Sequence, residues 1–384
     1  MTTLLDAPPA LSSHLHPTPS WDVADHPIPT GREENWRFTP VDRIAPLFLD
    51  ALSGDNLVWE TRLPDGVRID PISEAEARAL AVGAPIDRIG AVAARNSGFA
   101  AHLDIPAGLD LDGPVVINGT GVDHPHVNEH LVVTVGAGAR ATLVLRYCGS
   151  AELATKTDAR VGAGADFTVV TVADWDDTAL HGGQASYLVG RDARVRTVAV
   201  TLGGSVVRLV DNARFDGPGG TIEQFGLYFA DAGQHLEHRL FVDHDAPHTT
   251  SLVDYRGALQ GKGAHSVWIG DVLIRKHAEG TSTYEQNRNL VLTDGCIADS
   301  VPNLEIETGE IAGAGHSSTT GRFDDEQLFY LMSRGIPAAE AKRLVVEGFF
   351  VEIIRRIGVP ELEKQLLDAV RSELATTVTA GASA

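Results

Sequence analysis

Between about residues 98 and 321, apolar and polar positions alternate over short stretches bounded by Gly, Asp and Asn, with no long amphipathic helical pattern between them. That texture predicts strands. VGAGARATLVL (135–145), VGAGADFTVVT (161–171) and VGRDARVRTVA (189–199) share V-G-x-x-A followed by alternating strand residues, and they start 26 and 28 residues apart. A repeat of that length predicts a solenoid, in which each coil hydrogen-bonds to the next and like positions stack inward. Further turn-then-strand units follow at 217–229, 261–274 and 294–306. A β-sandwich would also place polar turns at short intervals, but it does not predict the recurring V-G-x-x-A start. The expected fold is therefore mainly β: a parallel β-helix core with a small N-terminal mixed subdomain and a C-terminal helical domain.

The pattern divides the chain at 1–97, 98–321 and 322–384. The first 30 or so residues are rich in Pro, Ser, Thr and His and read as an arm ordered only against something else. ISEAEARALAVG (72–83) reads as a short helix stopped by Gly83. After Gly321 come three helical segments, 324–336, 337–358 and 360–375, with Asp324 at a start, Gly335 at a stop and Pro337 and Pro360 in first turns. In the second, apolar residues from Leu344 to Ile357 wrap more than one face, which calls for burial against the body and against something further. The final TTVTAGASA is expected to fray.

Charge narrows the partners. The chain has 31 basic and 52 acidic side chains and a formal charge of −21, which repels phosphate backbones, and it lacks a basic patch, so no nucleic-acid partner is expected. No basic leader followed by an apolar stretch opens the sequence and no apolar run reaches the roughly 20 residues of a spanning helix, so a cytoplasmic protein without membrane insertion is expected.

No enzyme signature is present: there is no G-x-x-x-x-G-K-S/T, no G-x-G-x-x-G after a strand, no H-E-x-x-H and no G-x-S-x-G. The G-x-G in VGAGAR and VGAGAD reads as a coil corner, because it recurs and no helix follows to receive a phosphate. Two cysteines in 384 residues exclude a disulfide framework, a four-cysteine zinc site and a self-contained four-cysteine iron–sulfur site. Any metal chemistry must borrow ligands. The 15 histidines are more informative, grouped at 124/126/130, 235/238 and 244/248, then 265, 277 and 316. The first group reads as a polar strand face. QHLEHRLFVDHDAPH (234–248) aligns His and acidic groups along a strand, where mutual hydrogen bonding outweighs metal contact. Cys148 reads as a buried coil residue packed as a small hydrophobe, and Cys296 sits at a turn. His316 differs, lying in AGAGHSSTTG, a polar glycine-rich bend between the last strand unit and the helices, well placed as an interface ligand.

The stretch NLVLTDGCIADSVPNLEIETGEIAGAGHSSTTGRFDDEQLFYLMSRGI (289–336) resembles the SufB/SufD family of iron–sulfur cluster assembly proteins, most like its SufD members. Supporting segments are GQHLEHRLFVDHDAPHTTS (233–251), YRGALQGKGAHSVWIG (255–270) and EQNRNLVL (285–292). The resemblance implies that the parallel β-helix is right-handed, and that the protein is a non-catalytic subunit of a SufBCD scaffold, pairing with a SufB-like subunit through the β-helix and with a SufC-like ATPase through the C-terminal helices. Phe329, Tyr330, Arg334, Phe349 and Phe350 would form the ATPase-docking set. It implies that His316 handles iron or a nascent cluster at the SufB interface, with His248 and Cys296 as lesser candidate ligands, and that the isolated chain holds no cofactor stably. Many members carry a cysteine two positions before this histidine; here that residue is Ala314. Two other readings remain open: a SufB-like or homodimeric scaffold, and a β-helical polysaccharide lyase or glycosidase working through paired carboxylates.

Overall fold

The computed structural model describes residues 17–52, 56–323, 325–358 and 360–380. Most of the expected N-terminal arm (1–16), the expected helix start Asp324 and the last four residues of the tail lie outside the described residues. The chain runs through β1 (Val58–Arg62), β2 (Arg68–Ile72), α1 (Glu74–Leu80), α2 (Arg88–Asn96), β3 (Ala100–Ile105), β4 (Val115–Gly121), β5 (His126–Val135) and β6 (Arg140–Gly149). It continues through β7 (Glu152–Val161), β8 (Asp166–Trp175), β9 (Leu180–Gly190), β10 (Arg194–Leu202), β11 (Val206–Asp216), β12 (Thr221–Ala230) and β13 (His235–His244). The last elements are β14 (Thr250–Leu259), β15 (His265–Ile274), β16 (Ser282–Val291), β17 (Ile297–Ile306), β18 (Gly313–Arg322), α3 (Asp325–Ser333), α4 (Ala338–Ile354) and α5 (Pro360–Ala380).

From β3 onward successive strands alternate between two sheets, and within each sheet every strand pairs in parallel with the strand two further on. The product is a right-handed parallel β-solenoid of about eight turns, as the repeat predicts. The V-G-x-x-A elements make its corners. Gly138 and Gly164 have positive φ, and in the third repeat Asp192 takes the same left-handed position. At Gly136, Gly162 and Gly190 a Cβ would collide with the backbone of the preceding coil. The alanine that ends each motif, Ala139, Ala165 or Ala193, is buried.

Both faces of the central strands of each sheet are covered, which is how parallel sheets persist in water. The interior holds the largest apolar cluster, from Leu103 through Phe167, Val195 and Leu236 to Ile274. Val170, Val198, Val200, Phe225, Leu227 and Phe229 face out of the β4–β18 sheet and pack under α4 and α5. On the opposite sheet the N-terminal residues Trp36, Ile44, Leu47, Phe48 and Ile89 pack on Ala154, Leu180 and Val206. The N-terminal part is thus a layer on the solenoid, and its strands β1 and β2 join the two sheets as antiparallel edges beside β4 and β3. Helix α1 has a capping box between Ser73 and Glu76. Among the described residues no helix is long and apolar enough to cross a membrane.

The interior also contains buried titratable groups. His181 is pushed down to about 3 by burial, and Glu129, beside the Tyr147 hydroxyl, is pushed up to about 8 by burial. A cavity of about 40 Å³ touches Tyr147, Thr155, His181, Tyr187 and Asp211, room for water between these polar groups. Because native Glu129 keeps its proton to higher pH than the unfolded chain, it subtracts from stability as pH rises from about 4.5 towards 8. Glu129→Gln is therefore expected to stabilise the protein by on the order of 3 kcal/mol at pH 7. The gain should vanish below pH 4.5, which denaturant melts at the two pH values would check.

Candidate functional site

The two ends of the solenoid are unlike. At the N-terminal end the antiparallel strands β1 and β2 finish the two sheets and at the C-terminal end the parallel strands β17 and β18 do, so that among the described residues each of the four has one backbone edge without a strand partner; beside β17 and β18 the interior opens to solvent. No residue of β17 is fully buried, and Ile297, Ile306 and Tyr284 are exposed there.

His316 lies in this opening. The segment read from sequence as a bend is instead the regular strand β18, paired along its length with β16. Glycines and small polar residues replace the usual strand formers because one side of this last strand has no further coil to pack against. His316 stands directly beside Glu285 in the register, and strand alternation turns both side chains to the inside of the solenoid, the same face as Thr283, Asn287 and Ala314. Its imidazole is 43% exposed, and Nδ1 is 3.8 Å from Oε1 of Glu285, whose side chain is only 2% exposed. Neither carboxylate oxygen of Glu285 has a hydrogen-bond partner of normal geometry. Burial, then the nearby Asp271 carboxylate, push Glu285 up to about 8, against a smaller opposing effect of the Asn303 backbone N–H. Ala314 adds no ligand.

The other candidates are elsewhere. Cys296 is half-buried at the corner before β17, its thiol donating to the Gly261 carbonyl at 3.3 Å, and it packs against the interior cluster. His248 occupies a corner between β13 and β14 with φ +57, its backbone N–H donating to the Glu279 carbonyl and its ring against Gly280. No hydrogen bond or ion pair joins either residue to His316. Cys148 is half-buried, with Sγ 3.3 Å from the Thr120 hydroxyl, rather than fully buried as its sequence suggests. The 124/126/130 histidines pair with Ser150, Glu152 and Asp158. Along β13, His235 contacts Glu237 at 3.2 Å and also the ring of His265, which reaches Asp299 at 2.7 Å, whereas His238 points the other way to Thr201. Among the described residues no group of three or more His, Cys, Asp or Glu could hold a metal ion.

The expected docking residues divide. Phe329 and Tyr330, on α3, are 74% and 56% exposed, and Arg334 stacks on Tyr330 and donates to its hydroxyl. Phe349 is half-buried against the layer beneath α4. Phe350 is a correction: it is fully buried among residues of the solenoid sheet and α5. It has no surface to offer a partner, because the α4 face that carries it is the one that closes over the sheet.

Glu285 escaped the sequence reading. It was visible only as part of EQNRNLVL, and its place beside His316 depends on a coil 31 residues long. The usable signal is to step back one coil from His316 and ask which side chain stacks on it.

Fold and site together define a class: a parallel β-solenoid with a histidine–carboxylate pair at its C-terminal opening and a helical layer on one flank. Residues 116–349 match the SufBD core domain of the SUF system for FeS cluster assembly. The chain is 46% identical over 366 residues to an iron–sulfur cluster assembly SufBD family protein of Mycobacterium leprae, covering 93% of each. It is 47% identical over 367 residues to one of Mycobacterium tuberculosis, covering 93% of this chain and 92% of that one. The iron–sulfur cluster assembly protein SufD of Escherichia coli is 25% identical over 382 residues, with 90% and 89% covered. The chain belongs to the SufBD family of iron–sulfur cluster assembly proteins.

Proposed function

We propose that this protein is the SufD-like, non-catalytic subunit of an iron–sulfur cluster assembly scaffold, contributing His316 to a site completed by a SufB-like partner at the open end of the solenoid. The observation that carries this reading is a half-exposed imidazole in the opening at the end of the solenoid, where the described residues hold no group of three or more His, Cys, Asp or Glu that could take a metal ion. The free edges of β17 and β18 offer backbone groups and apolar side chains for a second β-helix to cover. The likeness to a protein named SufD over most of both chains favours that side of the family.

The exposed aromatic surface of α3 is the proposed seat of a SufC-like ATPase. Arg256 on β14 donates to the Phe349 carbonyl of α4 at 2.8 Å and pairs with Glu352, so α4 is tied directly to the sheet. A pull on the helices would reach the solenoid through this tie and shift the interface where iron or a cluster, the cargo, is held. The energy belongs to the ATPase. Imidazole in place of one thiolate suits a site that must release what it assembles.

His316→Ala in the complex assembled anaerobically with the SufB-like and SufC-like subunits is expected to reduce cluster yield about tenfold, the scale of losing one ligand contribution. The complex should still elute intact on size exclusion. Unchanged yield would overturn the assignment.

A further inference from the structure

We propose that Glu285 is a second ligand from this chain, acting with His316 to hold one divalent iron in the open end of the solenoid; the inference rests on the role given to His316 above. The pairing of β16 with β18 sets the two residues side by side on the inward face. The 3.8 Å between Nδ1 and Oε1 is too long for a hydrogen bond. It is shorter than the about 4.2 Å spanned by two metal–ligand bonds of about 2.1 Å each, so one ion can touch both atoms.

Glu285 is also held in a way that a structural carboxylate is not. It is buried, and neither oxygen has a hydrogen-bond partner of normal geometry. Burying such a group is costly unless a partner arrives. The protein nevertheless makes room for it. The carboxylate reaches across the interior to Gly270 in the opposite sheet, where any Cβ would collide with Oε2. Asn303, in the next coil of that sheet, contributes only its backbone N–H. Oε1 lies on the side of the exposed imidazole, at the mouth of the opening. The observed gap, with a buried oxygen on one side and a half-exposed ring on the other, is a little wider than the about 3.0–3.4 Å between neighbouring ligands of one ion, so the exposed imidazole would close in as the cation binds.

The donor set admits ferrous iron among the borderline divalent ions, and iron is the one the role proposed for His316 brings to this site; soft ions favour thiolates, which neither residue supplies. Two protein ligands leave the remaining positions open to sulfide or to thiolates of a partner. In this arrangement His316 is the ligand nearer to solvent and Glu285 the anchor below it, so iron would enter this chain before the second subunit closes over it.

The test uses the full-length protein under anaerobic conditions, titrated with Fe(II) alone and, in parallel, with Co(II) as a spectroscopic stand-in. Wild type is expected to bind one Fe(II) saturably, to show Co(II) ligand-field bands and to melt at a higher temperature with metal than without. Glu285→Gln, which keeps the side chain's shape, should bind Fe(II) at least tenfold more weakly and lose the metal-induced rise in melting temperature. Metal-free Glu285→Gln should melt no lower than wild type, since the amide keeps an oxygen for the Asn303 backbone N–H and removes a buried acid, and this separates lost ligation from lost folding. His316→Ala, altered at a half-exposed position, should weaken binding similarly. Binding lost in His316→Ala but unchanged in Glu285→Gln overturns the role of Glu285 and leaves that of His316 standing. Unchanged binding in both variants overturns both ligand assignments, and no saturable binding by wild type overturns the pair, leaving His316 to be judged by cluster yield in the complex.

Discussion

Glu237→Ala is expected to lower the stability of the protein by roughly 3–5 kcal/mol at neutral pH, the usual consequence of removing one member of a buried ionic network. Glu237, on β13, is completely buried. It accepts a hydrogen bond from the Thr39 hydroxyl at 2.7 Å and contacts His235 at 3.2 Å and both Arg208 and Arg239 at 3.3 Å. Arg208 in turn pairs with Asp87 at 2.7 Å, donates to the Asn35 carbonyl and lies over the ring of Trp36. Truncation would leave two buried guanidinium groups without this carboxylate and loosen the hold on residues 35–39 and on the start of α2. Urea unfolding should show the loss, and limited proteolysis should begin within residues 17–52. A shift below about 1 kcal/mol would contradict this account.

The same network sets an acid limit. Burial alone would raise the Glu237 carboxyl, but His235, Arg208 and Arg239 together overcome it and hold the group well below its ordinary value of 4.5. The unfolded chain therefore takes up this proton first as pH falls. The stabilisation is complete above about pH 4.5 and drains away in more acidic solution, so the difference between wild type and Glu237→Ala should narrow there.

Phe350→Ala is expected to cost about 3–5 kcal/mol, through lost burial and the cavity left behind. Phe350 sits in the cluster that joins Val198, Phe225, Leu227 and Phe229 of the solenoid to Ile353, Ile354, Leu366 and Val370 of α4 and α5. Its removal should free the helical layer to melt before the solenoid, seen as a split thermal transition. Phe329→Ala makes the opposite prediction. On an exposed position of α3 it should change stability by no more than about 0.5 kcal/mol, yet weaken binding of the ATPase subunit. If both variants lost stability alike, or Phe350→Ala alone lost partner binding while remaining fully stable, the division between layer and docking surface would be wrong.

Much of this fold is legible in local patterns. The V-G-x-x-A corners can be read because each turn imposes its own requirement, a left-handed residue at 138, 164 or 192 and close backbone approach at 136, 162 or 190. The helices after Gly321 can be read because Pro337, Gly335 and Pro360 punctuate them. Local pattern was less informative about direction. Phe349 and Phe350 are neighbours in an apolar helix, and sequence assigned both to a partner, while packing against the sheet buries Phe350 and leaves Phe349 half-covered. β18 was read as a bend because its glycines and serines are poor strand formers. Its pairing along all of β16 overrides that propensity.

The sequence by itself determined the repeated strand-and-corner architecture, the helical ending, the shortage of thiols and the prominence of His316, since each depends on residues close together in the chain. Only the tertiary structure decided which side chains meet across coils. The coil length drifts from 26 residues between His126 and Glu152 to 32 between Ser251 and Thr283, so no fixed period finds the residue stacked on a given one. Backbone pairing integrates those differences coil by coil. It is this accumulated register, at the exposed C-terminal end of the solenoid, that sets a buried Glu285 beside a half-exposed His316.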